Sequence, residues 1–152
     1  MQIEKRLAEM GVVLPDVPKP VASYLPVVRS GNLLFLSGQL CTVAGELKYQ
    51  GKAGKEVSLD DAYEAAKAAA INSLAVIKQQ VGSLDKVKRI VKVVGYVASD
   101  PSFSDQPKVI NGASDFLQEV FGDKGTHARS AVGVASLPLN VPVEVEMIVE
   151  IE

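Results

Sequence analysis

The stretch that decides the fold is VEVEMIVEI, residues 143–151. Its odd positions, Val143, Val145, Met147, Val149 and Ile151, are apolar, while Glu144 and Glu146 share the opposite side. A two-residue period of this kind marks a β-strand with one face in a core. The segment before it, Ala128 to Ser136, has the same period. Ala128, Ser130, Val132 and Val134 occupy one face, and Arg129, Ala131, Gly133 and Ala135 the other, so Arg129 sits on a face of small residues. The connection Leu137-Pro138-Leu139-Asn140 is short, and the two strands either pair as a hairpin or lie one strand apart.

Working outward, Ile90 to Ala98 is β-branched and apolar and reads as a buried strand ended by Asp100-Pro101. A helix is predicted from about Asp105, through Val109, Ala113, Phe116, Leu117 and Val120, to Gly122. The firmest helix follows Ser58 and Asp61, which form an approximate capping box; Tyr63, Ala66, Ala70, Leu74, Ile77 and Val81 make its apolar stripe, and Gly82 stops it. Further back, β-prone runs from Tyr24 to Val28 and from Leu33 to Leu36 flank Ser30-Gly31-Asn32, which is hairpin punctuation. The second run is apolar on both faces, predicting a central strand covered on both sides that ends at Ser37-Gly38-Gln39. Ile3, Leu7 and Met10 predict a short amphipathic helix before a proline-rich link from Pro15 to Pro20. The whole is one α+β domain over residues 1–152, a mostly antiparallel sheet with two main helices on one face and an extra N-terminal helix.

Composition narrows the chemistry. Hydrophobic residues are 47% and charged residues 22%, with 16 basic against 18 acidic side chains, a globular balance with no electrostatic footprint for nucleic acid. Lys86, Lys88, Arg89 and Lys92 form the densest basic stretch and read as a solvated rim around a strand start. Cys41 is the single cysteine, so no intrachain disulfide or thiolate cluster for zinc can form, and no metal or cofactor is expected. The N-terminus lacks the continuous apolar stretch of a targeting peptide and no uncharged stretch spans a bilayer, so the expected location is the cytoplasm, off the membrane. GxSxG, HExxH and a glycine-rich phosphate loop are all missing.

What remains is an arginine among small side chains and two carboxylates on a nearby strand. A guanidinium matches a carboxylate through two parallel hydrogen bonds, and small neighbours leave room for a ligand. The alternative is a surface ladder in which Arg129 pairs with Glu144 or Glu146, and spacing alone favours that pairing.

The blocks Gly31-Asn32-Leu33-Leu34-Phe35-Leu36-Ser37-Gly38-Gln39, Ala128-Arg129-Ser130-Ala131-Val132, Leu137-Pro138 and Val143-Glu144-Val145-Glu146 resemble the signature blocks of the RidA/YjgF family, over about residues 20 to 152. The resemblance implies a chorismate-mutase-like fold assembled as a homotrimer with sites in the clefts between subunits. It also implies cofactor-free hydrolysis of 2-imino acids or their enamines to 2-keto acids and ammonia. Arg129 would clamp the substrate carboxylate, Glu144 would orient or activate water, and Tyr24, Ser37, Gly38, Asn111 and Ala131 would line the cleft.

The non-catalytic alternative is a protein of the same fold that binds or senses a small carboxylate such as a keto acid. Outside the resemblance, Tyr24 reads as a half-buried strand aromatic, Ser37 as a turn cap and Asn111 as a solvent-facing helix residue. Ala131 stands where well-known deaminases have a cysteine, and His127 where a proline is common. His127 itself reads as structural and is expected to point away from Arg129. A sheet covered on one face only leaves its other face needing a partner, which gives oligomerisation independent support.

Ribonuclease activity finds little support in a chain with 5% aromatic residues and one histidine. The expected outcome in an RNA-binding titration is no salt-sensitive complex. Tight binding that weakens steeply with added salt would overturn that expectation.

Overall fold

The computed structural model describes residues 1–19 and 23–152; the last residue of the proline-rich link, Pro20, lies outside them. Along the chain the elements are α1 (Gln2–Glu9), β1 (Val27–Ser30), β2 (Leu33–Leu36), β3 (Gln39–Leu40), α2 (Leu59–Val81), β4 (Val87–Ala98), α3 (Gln106–Phe121), β5 (Ala128–Val134) and β6 (Val143–Ile151). The sheet order is β1-β2-β6-β4-β5, and β3 also pairs with β6, beside the stretch that β2 leaves free. β4 and β5 are parallel; the other pairs are antiparallel. β4 therefore lies between β5 and β6, which settles the alternative left open by the short connection in favour of strands one apart.

The two-residue period of β6 holds along its length. Val143, Val145, Met147, Val149 and Ile151 are buried, while Glu144, Glu146, Ile148 and Glu150 are only partly covered. The buried side is roofed by α2 and α3, and among the described residues no helix covers the other, bare side of the sheet. Ser58 caps α2 by accepting from the Asp61 N–H at 3.1 Å, and Gly82, at φ 88°, ends it in the left-handed region that glycine tolerates best. α2 is buried on more than the predicted stripe, because it lies between the sheet and α3; Ala62, Ala65, Ala69, Ser73 and Val76 are also covered.

Two strand readings need correction. The first β-run begins at Val27 and not at Tyr24, since Pro26 has no N–H to give a ladder; Tyr24 lies outside the strand and is exposed. The second run is not covered on both faces. Leu34 and Leu36 enter the core, whereas Phe35 is 42% exposed on the bare face together with Val28 of β1 and Val132 of β5. Apolarity on both sides of β2 marks an uncovered face, not a second layer of helix.

α1 is fastened to the domain by mutual capping. The Gln2 and Ile3 N–H groups donate to the Asp85 carboxylate at 2.9 and 2.8 Å, and Glu4 accepts from the Leu84 N–H and the Ser83 hydroxyl, at 2.5 and 3.2 Å. Leu7 is buried beneath it. The long segment between β3 and α2 is stitched to the far end of the sheet by Gly51 N–H to Asn140 O and Ala53 N–H to Ala98 O, both 2.8 Å. Among the described residues no helix is long and apolar enough to cross a membrane.

Two glycines set how closely α3 is seated. A Cβ on Gly112 would lie 1.9 Å from the backbone carbonyl oxygen of Tyr63, so α2 and α3 touch main chain to side; a Cβ on Gly95 would meet the Ile110 side chain at 2.4 Å. A side chain can swing away, whereas a helix carbonyl cannot. Gly112→Ala should therefore lower stability by about 3 kcal/mol and Gly95→Ala by nearer 1 kcal/mol, measured by urea unfolding. Equal stability of Gly112→Ala and the parent would show that the helices separate freely.

Candidate functional site

Arg129 is the second residue of β5 and pairs in register with Val93 of β4, which in turn faces Met147 of β6. Paired residues share a face, so Arg129 points to the helical side, toward α3. There its Nη1 donates to Asn111 Oδ1 at 2.8 Å and to Ser114 Oγ at 3.1 Å, and its Nη2 to the Pro107 carbonyl at 3.4 Å. A guanidinium has five N–H donors, so three are held by α3 and two, on Nε and Nη2, have no acceptor among the described residues. Nε and Nη2 are the two nitrogens of one edge of the guanidinium plane. No carboxylate among the described residues forms an ion pair with Arg129. The surface ladder with Glu144 or Glu146 is thus not formed: β6 is two strands away, and both glutamates project from the other face.

His127 does not turn away from Arg129. Positions two apart share a face, and both side chains reach Ser114: His127 Nε2 lies 2.9 Å from Ser114 Oγ, while Nδ1 lies 2.6 Å from the Gly125 carbonyl. Asn111 and Ser114 are three apart on α3, which places them on one side of the helix above β5. Ser114 was not singled out from sequence. Its only signal was a polar residue at that spacing from Asn111, inside the apolar stripe of Val109, Ala113, Phe116 and Val120. Ala131 follows Arg129 on the same face and packs against the core.

The other group gathers where the strand along one side of β6 breaks. β2 ends at Leu36 and β3 resumes at Gln39, so Ser37 and Gly38 fill the gap opposite β6. Gly38 lies against Glu144: a Cβ there would come within 2.8 Å of the carboxylate. Ser37 donates its N–H to the Pro26 carbonyl at 2.9 Å and its hydroxyl to the Leu25 carbonyl at 2.5 Å, which holds the segment carrying exposed Tyr24 alongside. Burial and then the neighbouring Glu146 push the Glu144 carboxyl above its ordinary range. Glu146 accepts a hydrogen bond from Tyr96 of β4, and that bond, followed by burial, pushes the Tyr96 phenol up to about 12.

The predicted residues therefore form two clusters within one chain. Arg129, Asn111 and Ala131 lie on the helical side at the β5 edge, and Glu144 and Gly38 on the opposite side, with Ser37 in the same gap and exposed Tyr24 on the segment tied to it. Cys41 is buried in the core, and burial raises its thiol, so it offers no ready thiolate. Among the described residues no three of His, Cys, Asp and Glu converge where they could hold a metal.

Comparison with known proteins places these observations among relatives. The profile of the "YjgF/chorismate mutase-like, putative endoribonuclease" family matches residues 4–151. Protein TCP17 of Trypanosoma cruzi is 40% identical over 99% of this chain and 94% of its own. A 2-iminobutanoate/2-iminopropanoate deaminase of Dermatophagoides farinae is 33% identical over 91% of this chain and 93% of its own. The crystal structure of protein Atu1372 of Agrobacterium tumefaciens, of unknown function, superposes with a TM-score of 0.93 at 46% identity, covering 99% of this chain and 92% of that one.

The raised Glu144 carboxyl has a consequence for stability. A group whose pKa is higher folded than unfolded contributes stability below its unfolded value, 4.5, and that contribution disappears as pH rises through the folded value. Glu144→Gln should then unfold at a higher urea midpoint than the parent at pH 7, with the difference closing below about pH 4. A lower midpoint for Glu144→Gln at pH 7 would mean that the fold favours the ionised carboxylate.

Proposed function

The chain belongs to the YjgF/chorismate mutase-like family, and from that premise we propose that it hydrolyses 2-imino acids, or their enamine tautomers, to 2-keto acids and ammonia. The observation that carries the reading is the state of Arg129: fixed on three α3 acceptors, unneutralised by any described carboxylate, with one donor left on Nε and one on Nη2. Two parallel donors are the complement of a carboxylate, which every 2-imino acid carries next to the reacting carbon.

Glu144 supplies the proton chemistry in this reading. As carboxylate it takes a proton from water attacking the iminium carbon; as carboxylic acid it returns that proton to nitrogen, and ammonia leaves as the carbonyl forms and the hydroxyl proton passes back to the carboxylate. A carboxyl raised by burial serves both roles near neutrality better than an ordinary one. Tyr24, Ser37, Gly38, Asn111 and Ala131 line the cleft, Gly38 because any side chain there would displace the Glu144 carboxylate.

The two clusters face opposite sides of one sheet, so the site is completed between copies of the chain. Arg129 at the β5 edge of one subunit meets Glu144 on the bare face of the next, and a closed ring of three repeats that junction. The exposed Val28, Phe35 and Val132 on the bare face support this arrangement, since water would otherwise cover them.

The reading is tested by following keto acid and ammonia release from freshly generated 2-imino acids. Arg129→Ala should lower kcat/KM by about a hundredfold or more. Arg129→Lys should recover little, since an ammonium keeps the charge and loses the fork. Calorimetric binding of keto acids with no rate enhancement across several imines would reduce the protein to a carboxylate-binding module, and a stable monomer in sedimentation would remove the shared cleft.

A further inference from the structure

We infer that His127 is a positioning residue for Arg129 and acts through the hydroxyl of Ser114. The argument follows one proton. The Gly125 carbonyl can only accept, so Nδ1 of His127, 2.6 Å away, carries a proton, and in the singly protonated ring Nε2 is left as an acceptor. The Ser114 hydroxyl, 2.9 Å from Nε2, must then be the donor of that pair. Ser114 is only 7% exposed, so solvent offers little competition for its single proton. With the proton committed to His127, Ser114 Oγ presents lone pairs alone to Arg129 Nη1 at 3.1 Å.

Without the imidazole this polarity is lost. A helical serine readily turns its hydroxyl to the carbonyl four residues back, or toward any open direction, including the guanidinium, where donor would meet donor. His127 therefore fixes Ser114 as an acceptor. Ser114 and Asn111 together occupy both hydrogens of Nη1, and that sets the plane in which the free Nε and Nη2 donors point. The chain starts in the α3–β5 connection, which carries Gly125 and His127, and passes through Ser114 of α3 to Arg129 of β5.

The consequence for ligand affinity rests on Arg129 being the carboxylate anchor; the positioning itself does not, so the two are measured separately. Guanidinium nitrogen NMR of the ligand-free protein reports rotation about the Arg129 Nε–Cζ bond. His127→Leu should speed that rotation by about three- to tenfold, the loss of one neutral hydrogen bond's worth of restraint. His127→Gln, whose amide oxygen can still accept from Ser114, should restore the slow rotation. Rotation as slow in His127→Leu as in the parent, or as fast in His127→Gln as in His127→Leu, would overturn the inference. Calorimetry with 2-oxobutanoate then reads the anchor: a dissociation constant unchanged by Arg129→Ala would sink the carboxylate reading while the NMR result stood.

Discussion

Each residue of the central β6–β4 pair must point to one of two faces, and helices cover only one of them. This constraint decides most of what the molecule can do. It sends Val143, Val145, Met147, Val149 and Ile151 into the core with Val93 and Val97, and leaves Glu144, Glu146, Val94 and Tyr96 on the bare side. The parallel register of β5 on β4 carries the same parity one strand further, so Arg129 joins the core side. An arginine and a glutamate fifteen residues apart in sequence are thereby fixed on opposite faces. A one-residue slip in β6 would put both the apolar row and the carboxylates on the wrong side.

The seating of α3 is the second determinant, and it depends on the first. Gly112 lets α3 approach the Tyr63 carbonyl, and Gly95 lets it approach the sheet; only at that distance do Asn111, Ser114 and Pro107 reach the guanidinium. A half-buried cation without a counter-ion is costly unless its donors are satisfied. Here neutral oxygens satisfy three of them while leaving the charge itself uncompensated. Had a glutamate of this chain reached the same place, the electrostatic demand would be met internally and an anionic ligand would have nothing to neutralise.

Much of this was legible in the sequence because periodicity reports the face of a residue directly. The alternation of residues 143–151, the capped helix after Ser58 and the helix ending at Gly122 all stand as read. Periodicity does not report neighbours. Nothing in Ala128 to Ser136 says that the strand 87–98 slots between it and β6, so an Arg129–Glu144 pairing that spacing favours is absent from the fold. The two-sided apolar run Leu33 to Leu36 misleads for a related reason: an apolar row does not report whether a helix lies over it, and Phe35 stands exposed. Ser114 was hidden because a serine in an apolar helical stripe is usually a tolerated spacer, and its role appears only once β5 brings Arg129 and His127 beneath it.

Glu144 and Glu146 look equivalent in sequence, two residues apart on one face, and the fold distinguishes them through a residue that periodicity placed only as strand filling. Tyr96 pairs in register with Glu144 yet gives its hydroxyl to Glu146. A phenol pushed to about 12 keeps its proton through the neutral range, so Glu146 keeps its donor there. Glu144 receives no side-chain hydrogen bond from the described residues and lies beside Gly38, where a missing side chain leaves its carboxylate uncovered. Burial first, and then the carboxylate of Glu146 beside it, push the Glu144 carboxyl above its ordinary range. Tyr96 thus distinguishes two glutamates that the sequence pattern makes alike: Glu146 holds a phenol donor, and Glu144, without one, is the carboxyl that the fold pushes up.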